Sequence, residues 1–115
     1  IEALNVFRQT TFPLCFFGHS HFPVIFGLSP DAIQTVLTTS PAFRHRLEPG
    51  VRYLVNPGSI GQPRDGNPLA SFAMFDSATR TVSVYRVPYP LGRAQRKILD
   101  AGLPRPLADR LALGR

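Results

Sequence analysis

The sequence predicts an α/β fold in which short, mainly antiparallel strands precede two helices. Short apolar runs alternate with Gly, Pro and Asp turns over most of the chain. Residues 81–87 alternate between apolar and polar side chains, which is the period of a strand, whereas apolar residues after position 91 recur at helical spacing. Because strands and then helices follow without a repeating unit, we predict half of a layered α/β sandwich.

Each predicted strand is an apolar run bounded by turn-forming residues. The predicted strands are Leu14–Phe17, Val24–Gly27, Gln34–Leu37, Arg52–Val55, Ala70–Phe75 and Thr81–Val87. The last two are expected to form a hairpin across Asp76–Thr79. His45 stands between two arginines, before a Glu-Pro-Gly turn. We therefore predict that His45 is an exposed hairpin residue and not a metal ligand.

Helical periodicity is predicted at both ends of the chain. Residues 1–9 are typical of the last turns of a helix that begins upstream. A second helix is expected to start near Leu91 and to be closed by Gly102. A third is expected after Pro104 and Pro106, since proline is favoured in the first helical turn.

The charge pattern argues against a nucleic-acid partner. The net charge is +6, and all but one of the 13 basic residues are arginine, which suits phosphate recognition. These arginines are scattered, without a basic run or an alternation with aromatic residues, so a solvated surface is favoured. The 115 residues contain neither a signal-peptide pattern nor an apolar run of the roughly 20 residues that a membrane span needs. We expect a cytoplasmic protein without a membrane segment.

Two histidines separated by one residue are the first candidate site. Side chains at such positions of an extended backbone point to the same side, so His19 and His21 would present two imidazoles to one metal ion or a close pair. Gly18 allows a sharp turn and a close approach of the metal. A hydrolytic metal centre needs further ligands, and no Asp or Glu cluster accompanies the pair. From these residues alone, ordinary strand-end histidines with backbone hydrogen bonds remain an alternative.

The segment NPGSIGQPRDG after the fourth predicted strand is the second candidate site. The backbone N–H groups of Gly58, Ser59 and Gly61 are candidates to bind an anion, and Arg64 is a candidate to pair with a substrate phosphate. The alternative is architectural, because Pro-Gly and Asp-Gly form turns. In that interpretation Arg64 bridges to Asp65 or to another carboxylate.

Together these motifs resemble a known family. Gly18-His19-Ser20-His21, followed by the segment from Tyr53 to Gly66, is similar to the C-terminal half of the calcineurin-like metallophosphoesterases, in their small single-domain prokaryotic branch. Val87-Pro88-Tyr89 and residues 94–111 extend the resemblance over nearly the whole chain. The implied fold is a four-layer α/β/β/α sandwich, of which residues 1–115 would be the C-terminal half. The upstream DxH, GD, Asn-His and further His motifs of the family are not found here.

The resemblance implies a phosphoesterase that hydrolyses phosphomonoesters or phosphodiesters at a binuclear metal centre. His19 and His21 would each bind one of two divalent ions, which would be Mn, Fe, Zn or Ni. The general acid would lie in the upstream half, so we expect no catalytic acid in this chain, no activity from it alone and only weak metal binding. Within the family, a dinucleoside polyphosphate hydrolase is an alternative.

Half of a sandwich is expected to expose one apolar sheet face, which is unfavourable in water. We therefore predict that the chain is stable only with the missing N-terminal half or with a second copy of itself. The alternative from a different class is a noncatalytic binding or assembly module, or an inert fragment, that retains half of the fold.

Overall fold

The computed structural model describes residues 2–37 and 42–115, which form three helices and seven strands. In chain order they are α1 (Glu2–Gln9), β1 (Leu14–Phe16), β2 (Val24–Leu28), β3 (Ile33–Leu37), β4 (Ala42–Arg46), β5 (Arg52–Asn56), β6 (Ala70–Asp76), β7 (Thr81–Val87), α2 (Leu91–Asp100) and α3 (Arg105–Leu113). The predicted α/β class, with short strands followed by two helices, is confirmed. None of the helices in these ranges has the length and the apolar run that a bilayer crossing requires.

The strands form two sheets, with the orders β1-β5-β2-β3 and β4-β7-β6. β1 runs parallel to β5, whereas the other paired strands are antiparallel. The predicted hairpin is confirmed, since β6 pairs with β7 from Ala70 opposite Val87 to Asp76 opposite Thr81. Because β1 and β5 are parallel neighbours, both strands finish at the same end of the sheet, and the loops that follow them leave it there. These loops contain the two candidate sites.

The core lies between the two sheets. Its buried side chains come from both sheets and from the segment after β4: Ile25, Leu47, Tyr53, Val55, Val82 and Val84. The alternation along β7 directs Val82 and Val84 into this layer. Burial of apolar surface, at about 25 cal/mol per Å², is therefore the main interaction that joins the sheets.

Apolar side chains remain exposed beside β1 and β6, which are edge strands of the two sheets. Phe16 on β1 and Phe75 on β6 are 44% and 42% exposed, and their rings meet edge to face with centroids 6.4 Å apart. Together with Ile60 they line an open groove of about 610 Å³, which we name the edge groove. Other large apolar side chains are exposed elsewhere, such as Ile33 on β3 and Leu99 on α2, so the edge groove is one part of the apolar exposure expected of half a sandwich.

Strand β4 was not predicted, and the predicted place of His45 in an exposed hairpin is wrong, whereas its exclusion as a metal ligand stays a prediction. His45 lies on β4, is half-buried, and contacts Phe43 and Tyr53 with ring centroids 6.3 and 5.6 Å away. β4 pairs with the distant β7 and is not part of a local hairpin. Phe43 and His45 alternate with two outward arginines, and this period of two is the signal that identifies the strand.

Helix α1 is fastened to β5 by one arginine. The Arg52 guanidinium donates to the carbonyls of Phe7 and Phe12, at 2.8 and 3.2 Å, and its carbon lies 5.4 Å from the centre of the Phe7 ring. Phe7 is almost fully buried. The end of the helix therefore has a hydrogen-bonding partner and an apolar anchor.

Helices α2 and α3 form a hairpin that is anchored to the loop after β5. Gln95 Nε2 donates to the Ala108 carbonyl at 2.9 Å, which joins the two helices. α3 ends at Gly114, which adopts a left-handed conformation with φ 63°. The Gly66 N–H donates to the Gly114 carbonyl at 2.9 Å, and a Cβ on Gly114 would lie 2.6 Å from the Asn67 nitrogen. Only glycine fits this close contact.

Candidate metal centre

The two candidate segments lie side by side. β1 and β5 pair in register, Phe16 opposite Val55, and the Phe17 N–H donates to the Val55 carbonyl at 2.9 Å. We name residues 17–23, which follow β1, the histidine loop, and residues 57–66, which follow β5, the glycine loop. The motifs separated in sequence are thus brought to one edge of the larger sheet.

Both histidines have left-handed backbone conformations, with φ 77° for His19 and 59° for His21. The extended backbone assumed from the sequence is therefore wrong for this pair. The Ser20 N–H donates to the Gly18 carbonyl at 3.1 Å, so the histidine loop turns sharply. His19 is exposed and His21 is half-buried. A non-glycine residue in this region costs about 1–3 kcal/mol and persists only when its surroundings enforce it.

The imidazole of His21 is oriented by the glycine loop. Its Nδ1 lies 2.7 Å from the Gln62 carbonyl oxygen. Since a carbonyl oxygen only accepts, Nδ1 carries a proton, and in the neutral imidazole Nε2 then keeps a free lone pair. Histidines that bind metals commonly donate their other ring N–H in this way. The Arg64 N–H also donates to the His21 carbonyl, at 3.4 Å, which adds a backbone contact between the loops.

Asn56, the last residue of β5, joins the two loops. Its side chain is fully buried, and its Nδ2 donates to the Gly18 carbonyl at 3.2 Å and to Ser20 Oγ at 2.9 Å. Its Oδ1 accepts the Gly58 N–H at 3.0 Å. Because the Gly18 carbonyl can only accept and the Gly58 N–H can only donate, the amide has one orientation that satisfies all three bonds. No role was predicted for this side chain from the sequence.

The amides of Gly58 and Gly61 are engaged in hydrogen bonds within the loop and are not free to bind an anion. Gly58 N–H donates to Asn56, and Gly61 N–H donates to Ser59 Oγ at 3.1 Å. Gly58 has φ 84°, and a Cβ there would lie 2.7 Å from the Cβ of Ser71. The architectural interpretation therefore holds for Gly58, because only glycine fits both the conformation and the space.

Asp65 fixes the far end of the glycine loop through a buried ion pair with Arg86 on β7. Both side chains are almost entirely buried. Burial lowers the pKa of the Arg86 guanidinium, which stays protonated at neutral pH because arginine titrates so high. Among the described residues, Asp65 Oδ1 and Arg86 Nε have no hydrogen-bond partner, and they are the two atoms that a second, parallel hydrogen bond would join.

Arg64 does not bridge to Asp65, so that predicted alternative is wrong. Its side chain is exposed and forms no ion pair with any carboxylate in the described part of the chain. The pairing of Asp65 with a residue 21 positions away had no signal in the local sequence. The Arg64 side chain remains free to meet a ligand beside His21.

The described residues fit part of a metal-ligand set. His19 and His21 offer two imidazoles, and the proton on His21 Nδ1 leaves Nε2 as the ligand atom. Within residues 2–37 and 42–115, no group of three His, Cys, Asp or Glu side chains is placed to hold a metal ion. Catalytic metal sites use at least three protein ligands. Two imidazoles are therefore fewer ligands than a catalytic metal site requires.

No protein-family model matches the chain. An uncharacterized protein of Methanocaldococcus jannaschii is 38% identical over 102 residues, which cover 89% of this chain and 40% of that protein. The crystal structure of a metallophosphoesterase from Sphaerobacter thermophilus is similar to the chain at a TM-score of 0.88 and 35% identity, over 99% of this chain and 48% of the other. The chain thus spans about half the length of these proteins or less. Its architecture is that of the C-terminal half of a metallophosphoesterase, which confirms the resemblance predicted from the sequence.

Proposed function

We propose that the protein is a metal-dependent phosphoesterase in which this chain supplies His19 and His21 as ligands of a binuclear centre. The observation that carries the proposal is the hydrogen bond from His21 Nδ1 to Gln62, within a fold shared with a metallophosphoesterase. Two divalent ions, when bound, neutralise charge on a phosphoryl oxygen and lower the pKa of an attacking water. Imidazole ligands combined with oxygen ligands suit Mn, Fe, Zn or Ni.

The proposed role of the chain's own residues is to hold and orient. His21 is held by Gln62 in the tautomer that leaves Nε2 unprotonated. His19 is exposed and therefore accessible to an ion at the protein surface. The other ligands and the general acid would come from the part of the protein that this chain does not include.

We assign phosphate binding to Arg64. Its backbone adjoins His21, and its guanidinium is exposed and without an ion-pair partner in the described ranges. A free guanidinium matches two phosphate oxygens. Ser59 lies in the glycine loop with Arg64, and its hydroxyl is a second proposed contact. Gly58 is given only an architectural role. The proposed substrates are phosphomonoesters or phosphodiesters.

The edge groove is the proposed contact with the rest of the protein. The relatives are about twice as long as the part this chain matches, and the exposed Phe16 and Phe75 lie where both sheets end. Unpaired strand edges with apolar side chains are unfavourable in water. We expect light scattering to find the isolated 115-residue chain self-associated or polydisperse. A monodisperse monomer with a cooperative melt would contradict this expectation.

Hydrolysis of p-nitrophenyl phosphate and bis-p-nitrophenyl phosphate by the complete protein tests the function. We expect turnover that requires added Mn²⁺ and is abolished by a chelator. His19→Ala and His21→Ala should each lower kcat/KM by more than about tenfold, whereas His45→Ala on β4 should leave it near the wild-type value. Arg64→Ala should raise KM more than it lowers kcat. Absence of metal-dependent turnover in the complete protein would instead favour the noncatalytic binding module.

A further inference from the structure

We propose that Asn56 is a positioning residue for metal binding, which holds the histidine loop in its binding conformation. This inference rests on the proposed function, since it assumes that His19 and His21 are ligands. None of the hydrogen bonds of Asn56 described above ends on an imidazole. Its effect would be transmitted through the backbone on both sides of His19.

The two hydrogen bonds donated by Asn56 enclose His19. One ends on the Gly18 carbonyl, immediately before His19, and the other on Ser20 Oγ, immediately after it. His19 has φ 77°, which an L-residue adopts only when its neighbours are constrained. The His19 side chain is exposed, so packing constrains it little. The amide of Asn56, together with the Ser20 N–H bond to the Gly18 carbonyl, therefore fixes the direction in which the His19 side chain leaves the loop.

The same amide links the second histidine indirectly. Asn56 Oδ1 accepts the Gly58 N–H at the start of the glycine loop, and the carbonyl of Gln62 in that loop accepts the N–H of His21. The loops also share the Arg64 to His21 backbone bond. One side chain thus constrains His19 directly and His21 through the glycine loop.

Asparagine meets the hydrogen-bonding requirements of this position better than aspartate, which has the same shape. The site needs two N–H donors toward the histidine loop and one acceptor toward Gly58. Aspartate has the same shape but loses both donors and would place an oxygen against the Gly18 carbonyl. The position is fully buried and opposite Val24 in the sheet, so the side chain is held by β5 and water does not replace it.

The test compares Asn56→Asp with Asn67→Asp in the complete protein. Asn67 is a matched control because its Oδ1 also accepts the N–H of the residue two positions on, Leu69, at 3.0 Å, while its amide makes no contact with the histidine loop. Calorimetric titration with Mn²⁺ gives the metal affinity. Hydrogen exchange of the Ser20 amide in the metal-free protein gives the order of the loop.

We expect Asn56→Asp to bind Mn²⁺ about 10- to 100-fold more weakly, the usual effect of losing a residue that orients metal ligands. The Ser20 amide should exchange faster, and raising Mn²⁺ should restore most of the turnover. Rescue by excess metal would not follow from simple loss of structure. Asn67→Asp should leave the Mn²⁺ affinity and the exchange rate unchanged.

Unchanged Mn²⁺ affinity in a folded Asn56→Asp protein would overturn the positioning role and leave the proposed function intact. Failure of the wild-type protein to bind Mn²⁺ would overturn the proposed function and this inference with it. If Asn56→Asp does not fold, Ser20→Ala replaces it, because it removes one of the two bonds at an exposed position. A severalfold loss of affinity is then expected, and no loss overturns the role.

Discussion

The core between the sheets and the two loops beside it are stabilised by different interactions. Ile25, Val55 and Val82 in the core are buried by apolar contact, which depends on shape and volume. The loops are held by buried polar groups, namely the amide of Asn56 and the ion pair of Asp65 with Arg86. Buried polar bonds depend on which atom donates and which accepts. Stability and site geometry should therefore respond to different substitutions.

The largest expected effect comes from breaking the buried ion pair. Arg86→Met leaves the Asp65 carboxylate buried without its cation, and removing one partner of such a pair costs about 3–5 kcal/mol. Urea unfolding of the complete protein measures the loss. The double variant Asp65→Asn with Arg86→Met should recover part of it. Arg96→Ala is the control, because its pair with Asp100 is exposed.

A loss no larger than that of Arg96→Ala would mean that the Asp65–Arg86 pair does not anchor the glycine loop. Buried polar groups would then no longer distinguish the loops from the apolar core as clearly. Recovery in the double variant would separate the penalty of an unpaired charge from the value of the pair itself.

A cavity in the core should lower stability without disturbing the site. Ile25 is almost fully buried, so Ile25→Ala should cost about 2–5 kcal/mol, and Ile25→Val about 0.5–1.5 kcal/mol. We expect the Mn²⁺ affinity of both folded variants to match that of the wild type. An affinity that falls in step with stability would contradict the separation of the two regions.

A methyl group on Gly58 should affect both stability and the site. The positive φ and the short distance to Ser71 predict a loss of about 1–3 kcal/mol for Gly58→Ala, together with weaker Mn²⁺ binding because Gly58 is bonded to Asn56. Gly92→Ala is the matched control in helix α2. Apart from its chain neighbours and its own helix backbone, no described atom lies within 4 Å of the added Cβ, and the change should stabilise the protein by up to about 1 kcal/mol. Equal changes in stability and Mn²⁺ affinity for Gly58→Ala and Gly92→Ala would contradict the role given to Gly58.

The smallest expected effect is at the exposed turn between β6 and β7. The Asp76 carboxylate accepts the N–H groups of Thr79 and Ala78, at 3.2 and 2.8 Å, and these bonds, that of Thr79 first, lower its pKa. A lowered pKa in the folded state stabilises the protein above the unfolded pKa of about 3.9, and this contribution is lost as the pH falls through the folded pKa.

The test is the change of Tm on acidification. Between about pH 6 and about pH 2, Asp76→Asn should lose less stability than the wild type, because its amide does not titrate. The hydrogen bonds described for the Asp76 side chain stay within the turn, so metal affinity at neutral pH should not change. Parallel Tm curves for the two proteins would show that the carboxylate contributes no pH-dependent stability.

The architecture was predicted where local sequence pattern decides it. Alternation identified β7, and glycine and proline marked the ends of α2 and α3. β4 was missed because its two outward arginines resemble a polar loop. Its partner β7 is distant in sequence, so no local turn signal announces the pairing.

The histidines of the candidate site were predicted from the sequence, but their backbone conformation and hydrogen-bonding partners were not. The His19 and His21 motif was located, yet its left-handed backbone depends on Asn56, which lies more than 30 positions away. One predicted alternative had Arg64 bridge to Asp65 or to another carboxylate, whereas Asp65 pairs with Arg86. Long-range polar contacts of this kind have no period, so they are found only once the fold is known. The metal-binding role of the two histidines stays a prediction.

Anomalous diffraction from crystals of the complete protein soaked in Zn²⁺ would test the central claim most directly. The account predicts a metal peak about 2.0–2.1 Å from His21 Nε2, with Nδ1 still bonded to the Gln62 carbonyl, and a contact to His19. A Zn²⁺ site elsewhere, with both histidines unliganded at full occupancy of that site, would contradict the account.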